Sequence, residues 1–163
     1  MYKLLFDSDA LIKASKADLL EAVAECFDVL ITEEVRNETV EEGKKRFHPD
    51  ADKIENLINA RKIKIINRKN YSKKKEPKES FGKGEISVFK AYKKKYIIVT
   101  DDLSFSSYIN KEGIKGISSA HLLLLLFKKG KIQKDKAEHY LEKLKPYIRN
   151  DTYKLIKNDI KGE

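Results

Sequence analysis

Short apolar runs alternating with stretches of helical spacing organise this chain. Tyr2 to Phe6, Asp28 to Ile31, Lys62 to Ile66 and Tyr96 to Val99 are brief and rich in aliphatic residues, as strands buried on both faces are. A shorter run, Ile114 to Ile117, predicts a fifth strand. Between them the apolar positions change to helical periods. Ser8 to Ala14 and Asp18 to Cys26 form the first two predicted helices. Thr32 N-caps a third that carries Val35 and Val40. A fourth follows His48-Pro49-Asp50, with Ile54, Leu57 and Ile58 on one face. Gly84 opens a helix through Tyr92, and another runs from Leu103 to Lys111. Three more close the chain, over Ala120 to Lys129, Lys134 to Tyr147 and Thr152 to Lys161.

This alternation predicts an α/β fold in which helices cover both faces of a mainly parallel sheet of about five strands. One domain spans residues 1–163, with no internal repeat. A segment at about 67–83 stands apart. Arg68, Lys69, Lys73, Lys74, Lys75, Lys78 and Lys83 outnumber Glu76 and Glu79, and Pro77 blocks a helix, so a mobile basic loop is expected.

Composition narrows the function classes. The longest apolar block, Leu122 to Phe127, is far short of a bilayer span, so no membrane partner is expected. Cys26 is the only cysteine, which excludes an internal disulfide and fits the cytoplasm. With 3 histidines beside it, a zinc site is not expected, and any metal would be held by oxygen. The net charge of +9 raises the prospect of a nucleic-acid partner.

In parallel sheets, chemistry gathers where strands end. Two predicted strands end in acid, at Asp7 and at Asp101-Asp102. Each aspartate has an ordinary explanation as a helix N-cap, yet only one of an adjacent pair can cap; Asp102 is the favoured cap. Glu33 and Glu34 sit in a first helical turn and suit the helix dipole. Glu38 lies beyond that turn, three residues after Val35, near an inward face where a carboxylate needs a partner. Glu85 follows Gly82-Lys83-Gly84, with Phe89 four residues on. The dipole explains it, and so does a functional role. His121, among leucines, reads as a core residue. Ser118 reads as a helix cap or as a group holding water beside Asp101.

Together these segments resemble PIN domains. Asp7-Ser8-Asp9-Ala10-Leu11-Ile12 resembles that family's opening, and Val35-Arg36-Asn37-Glu38 its second acidic segment. Gly84-Glu85-Ile86 is similar to its third and Ile98-Val99-Thr100-Asp101-Asp102 to its fourth. The likeness is collinear from about residue 3 to residue 160, and the closing helices resemble those of stand-alone proteins related to VapC-type toxins. Asp9 and Leu103 depart from the usual pattern, which has a neutral small residue and often a basic one at these positions.

The resemblance implies a three-layer α/β/α fold and a ribonuclease. Asp7, Glu38, Glu85 and Asp101 would be the catalytic acids holding Mg²⁺ or Mn²⁺, supported by Asp102 and Ser118. It implies an RNA substrate, a homodimer and an antitoxin partner. Arg68, Lys69, Lys73, Lys74, Lys75 and Lys83 would track the RNA backbone, with Tyr71 and Phe81 offering stacking surfaces. Two alternatives stand beside it: a silent PIN-like module that binds RNA or protein, and a haloacid-dehalogenase-type phosphatase using Asp7 and Asp9.

Overall fold

The computed structural model describes residues 2–162. Five parallel strands lie in the order β3-β2-β1-β4-β5: β1 (Lys3–Phe6), β2 (Asp28–Thr32), β3 (Ile63–Ile66), β4 (Tyr96–Val99) and β5 (Gly116–Ile117). Leu4, Leu5, Phe6, Ile31, Ile98 and Val99 are fully buried, because helices cover both faces and leave a strand no solvent side.

After β1 the chain runs through α1 (Ser8–Lys16) and α2 (Leu20–Cys26) to β2. It then passes through α3 (Glu33–Arg36), a π-helical turn (Asn37–Glu41), α4 (Glu42–Lys45) and α5 (Pro49–Asn59) to β3. From β3 it crosses back to the other side of β1, through the loop 67–82 and α6 (Lys83–Ala91), to β4. The β1–β4 pair is therefore the place where strand order reverses, and a crevice opens there at the carboxyl ends. α7 (Leu103–Lys111), β5, α8 (Ser119–Lys128), α9 (Lys134–Leu144) and α10 (Asn150–Lys161) complete the chain. α1 packs against α2, α5, α8 and α9. α6 and α7 are joined through rings, Phe89 and Tyr108 lying 5.5 Å apart.

Most predicted elements appear within a few residues of expectation. α9 stops at Leu144 and continues as a 3₁₀ turn over Lys145–Tyr147, because Pro146 lacks the N–H a further α turn needs. The expected mobile loop is tied down in several places. Tyr71 donates its hydroxyl to Glu34 at 2.5 Å, and Ser72 N–H donates to the Lys90 carbonyl at 2.8 Å. Lys74 Nζ sits 5.0 Å from the Phe89 ring centre and 4.9 Å from that of Tyr92. Among the described residues no helix is long and apolar enough to cross a membrane.

Candidate active site

Two aspartates leave neighbouring strands at the β1–β4 crevice. Asp7 follows β1 and N-caps α1, accepting the Ala10 N–H at 2.9 Å. It is only 2% exposed, and burial pushes its carboxyl up to about 7, because a desolvated charge is costly. The Thr100 hydroxyl and the Ala10 N–H pull the value partly back, whereas Asp101 and Asp9 push it further up. Asp101 follows β4 by two residues. One of its oxygens accepts the Ser119 N–H at 2.9 Å, and the other is buried without a hydrogen-bond partner. A carboxylate oxygen left in that state is unfavourable unless a cation or proton meets it.

The two glutamates come from helices on either side. Glu38 lies in the π-helical turn after α3, so the extra residue in that turn resets which side chains face the crevice. Expected on an inward face, Glu38 is instead exposed, yet its carboxylate is fixed: it accepts from the Ser8 hydroxyl and from the Gly84 N–H, the latter at 3.1 Å. A Cβ on residue 84 would stand 2.5 Å from Glu38 Oε2, so glycine leaves the room this contact occupies. Glu85 accepts the Gly82 N–H at 2.6 Å and closes the first turn of α6. Its carboxyl is raised first by burial, and Asp102, Glu38 and Asp9 raise it further. Ser87 locks the two helices together. It donates to the Gly84 carbonyl at 2.6 Å, so it must accept from the Thr32 hydroxyl, also 2.6 Å away. Thr32 in turn caps α3 by accepting the Val35 N–H.

Asp7 and Asp101 thus lie within electrostatic reach of each other at the starts of α1 and α8, and Glu38 and Glu85 do so at the start of α6. Asp102 is a cap, accepting the Phe105 N–H at 2.7 Å. Ser118 is also a cap, accepting the His121 N–H at 3.2 Å, and its neighbour Ser119 is the residue that holds Asp101. His121 is not a core residue: it is exposed, with Nδ1 2.7 Å from the Ser118 hydroxyl, because the leucines of α8 face inward and the cap side does not. Ser8, Thr100 and Ser119 were not singled out by sequence reasoning. Ser8 and Thr100 adjoin acids in the motifs, which is the one signal they carried; Ser119 had only its place beside Ser118.

Loop residues 67–82 divide. Arg68 is engaged by Glu34 at 2.7 Å and Glu33 at 3.4 Å, and Lys74 lies on aromatic rings. Lys69, Lys73 and Lys75 are exposed, as is Lys83 at the start of α6. Tyr71 and Phe81 are not available for stacking. Tyr71 is bonded to Glu34, and Phe81 packs 5.4 Å from both Phe105 and Tyr108, so both rings anchor the loop instead.

Among the described residues no three His, Cys, Asp or Glu side chains are grouped so as to hold a metal ion by themselves. Magnesium does not require such a cage: one or two carboxylates, completed by water and substrate phosphate, suffice. Asp7, whose ionised form is disfavoured by burial, and Asp101, with its unpartnered oxygen, fit that role as hard oxygen donors.

A family model described as a PIN domain matches residues 3–160. Neither curated proteins nor solved structures give a match.

Proposed function

Because this chain belongs to the PIN domain family, a fold generally of nucleases that typically use divalent metals, we propose that it is a Mg²⁺- or Mn²⁺-dependent endoribonuclease. Asp7 and Asp101 would hold the ion, with Glu38 and Glu85 completing the acidic rim. When bound, a divalent cation supplies Lewis acidity for phosphodiester hydrolysis. The chain's own groups do the rest. Asp7 and Asp101 present their oxygens from rigid strand ends. Ser8 and the Gly84 N–H fix Glu38, and the Gly82 N–H fixes Glu85, so that both are oriented before substrate arrives.

The observation that carries this reading is the pairing at the crevice of a buried carboxyl displaced to about 7 with a carboxylate oxygen that has no partner. The phosphatase alternative would need Asp9 as an acid–base group beside Asp7. Its carboxylate is 59% exposed and pairs with Lys13 at 2.8 Å, which favours the nuclease. Incubation of a mixed RNA pool with Mn²⁺ tests the reading: wild-type protein cuts, Asp7→Asn and Glu38→Gln do not, and Asp9→Asn still does. Cutting that survives Asp7→Asn overturns it. In its finer form the reading places the enzyme in the cytoplasm as a homodimer restrained by an antitoxin. A monomer in solution with no small protein co-purifying from its native host removes that part alone.

A further inference from the structure

Beside Asp101 a groove of about 850 Å³ runs between the starts of α7, α8 and α10. That volume lies within the roughly 300–1,000 Å³ of small-ligand sites. Asp101 and Asp102 line the groove. Its wall is mainly apolar, with Leu103 67% and Tyr147 38% exposed, and Ile148 and Arg149 also line it. Lys13 also lines it, and Lys16 Nζ stands 5.1 Å from the Tyr147 ring centre. Water-facing leucine and tyrosine next to cations is the mixture that single-stranded nucleic acid selects, a flat base on an apolar surface and a phosphate on a guanidinium.

Arg149 can exchange partners at little cost. Arg149 pairs with Asp151 at 2.8 Å, but both side chains are about two-thirds exposed (65% and 66%), where ion pairs contribute little. Lys13, 20% exposed, pairs with Asp9, 59% exposed, and is held more firmly. Within the groove, Arg149 offers a phosphate a guanidinium, whereas Asp101 and Asp102 repel one unless a metal cation is bound there. The loop 67–82, by contrast, has its two aromatic rings already committed to the protein body.

We propose that this groove, and not the basic loop, seats the single-stranded RNA next to the scissile bond, with a base on the Leu103–Tyr147 wall and a phosphate on Arg149. The inference rests on the nuclease reading for its substrate class, but its test is separate. Binding of a fluorescein-labelled single-stranded RNA of mixed sequence is followed by anisotropy against salt, using the Asp7→Asn chain with RNA checked intact on a gel. Tyr147→Ala weakens binding roughly tenfold without changing the salt slope, as loss of a stacking surface does. Arg149→Gln weakens it and lowers the slope by about 0.7, the loss of one phosphate contact. Leu103→Glu, at an exposed position that leaves folding intact, weakens it as well. Lys73→Glu with Lys75→Glu changes the affinity by less than the Tyr147 substitution.

Groove variants that bind like the parent, loss confined to the loop variant, or absence of RNA binding by the folded parent each overturn the proposal. Wild-type cleavage in Mn²⁺ with unaffected groove variants removes the groove alone. Tyr147- and Arg149-dependent binding by a chain that never cuts removes the nuclease alone.

Discussion

Asp7 sets the energetics of the site. Its carboxyl is displaced from 3.8 to about 7, a differential cost of about 4 kcal/mol between protonation states. The unfolded chain releases this proton near pH 4, while the folded chain keeps it until about 7. Stability from this group is therefore complete below the lower value and is lost as pH rises through the upper one. Asparagine keeps the acceptor for the Ala10 N–H and never ionises. Asp7→Asn should then stabilise the metal-free protein by a few kcal/mol at about pH 8, with the advantage falling below half at about pH 5, as urea denaturation would show. Gly84→Ala separates function from folding. The three atoms nearest the new Cβ all belong to the Glu38 carboxylate, the far end of a side chain that can swing away, so the melting temperature should move little, while kcat/KM for RNA should fall at least tenfold. At this scale the segments that carry the acids were legible, since the family match spans all of them. The exposure of Glu38 was not, because position on a helix fixes a direction only while the helix remains regular.

Pairs of elements, more than single helices, aim the glutamates. The Thr32–Ser87–Gly84 hydrogen-bond chain holds the start of α3 against the start of α6, with Thr32 and Ser87 both buried. Ser87→Ala strands the Thr32 hydroxyl proton in the core. It should cost about 1–3 kcal/mol in stability and also weaken Mn²⁺ binding, measurable by denaturation and calorimetry. Val-to-Ala trimming of a comparable core site would lower stability without that second effect. The strands and most helices were readable because their apolar periods are unambiguous. The π-helical turn was not, since no residue type in Asn37–Glu41 encodes it; it arises where Val35, Thr39 and Val40 must all be buried at once. The tethering of loop 67–82 was equally hidden, because its lysines dominate the composition while Tyr71 and Phe81 make the contacts that hold it.

On the scale of the whole molecule, topology turns weak local signals into one site. Asp7 and Asp101 are far apart in sequence, yet β1 and β4 pair directly, with Phe6 opposite Val99, and both chains exit at the strand-order reversal. The acidic exits could be read from the apolar runs before them; only the strand order 3-2-1-4-5 makes them neighbours. In the proposed reading the net charge of +9 would attract an RNA backbone while the acidic crevice would attract a metal ion. A crystal soaked in Mn²⁺ near pH 8 and measured for anomalous scattering tests this most directly. The account predicts one strong peak touching carboxylate oxygens of both Asp7 and Asp101. A well-ordered crevice with no peak, or manganese bound only elsewhere, would contradict it.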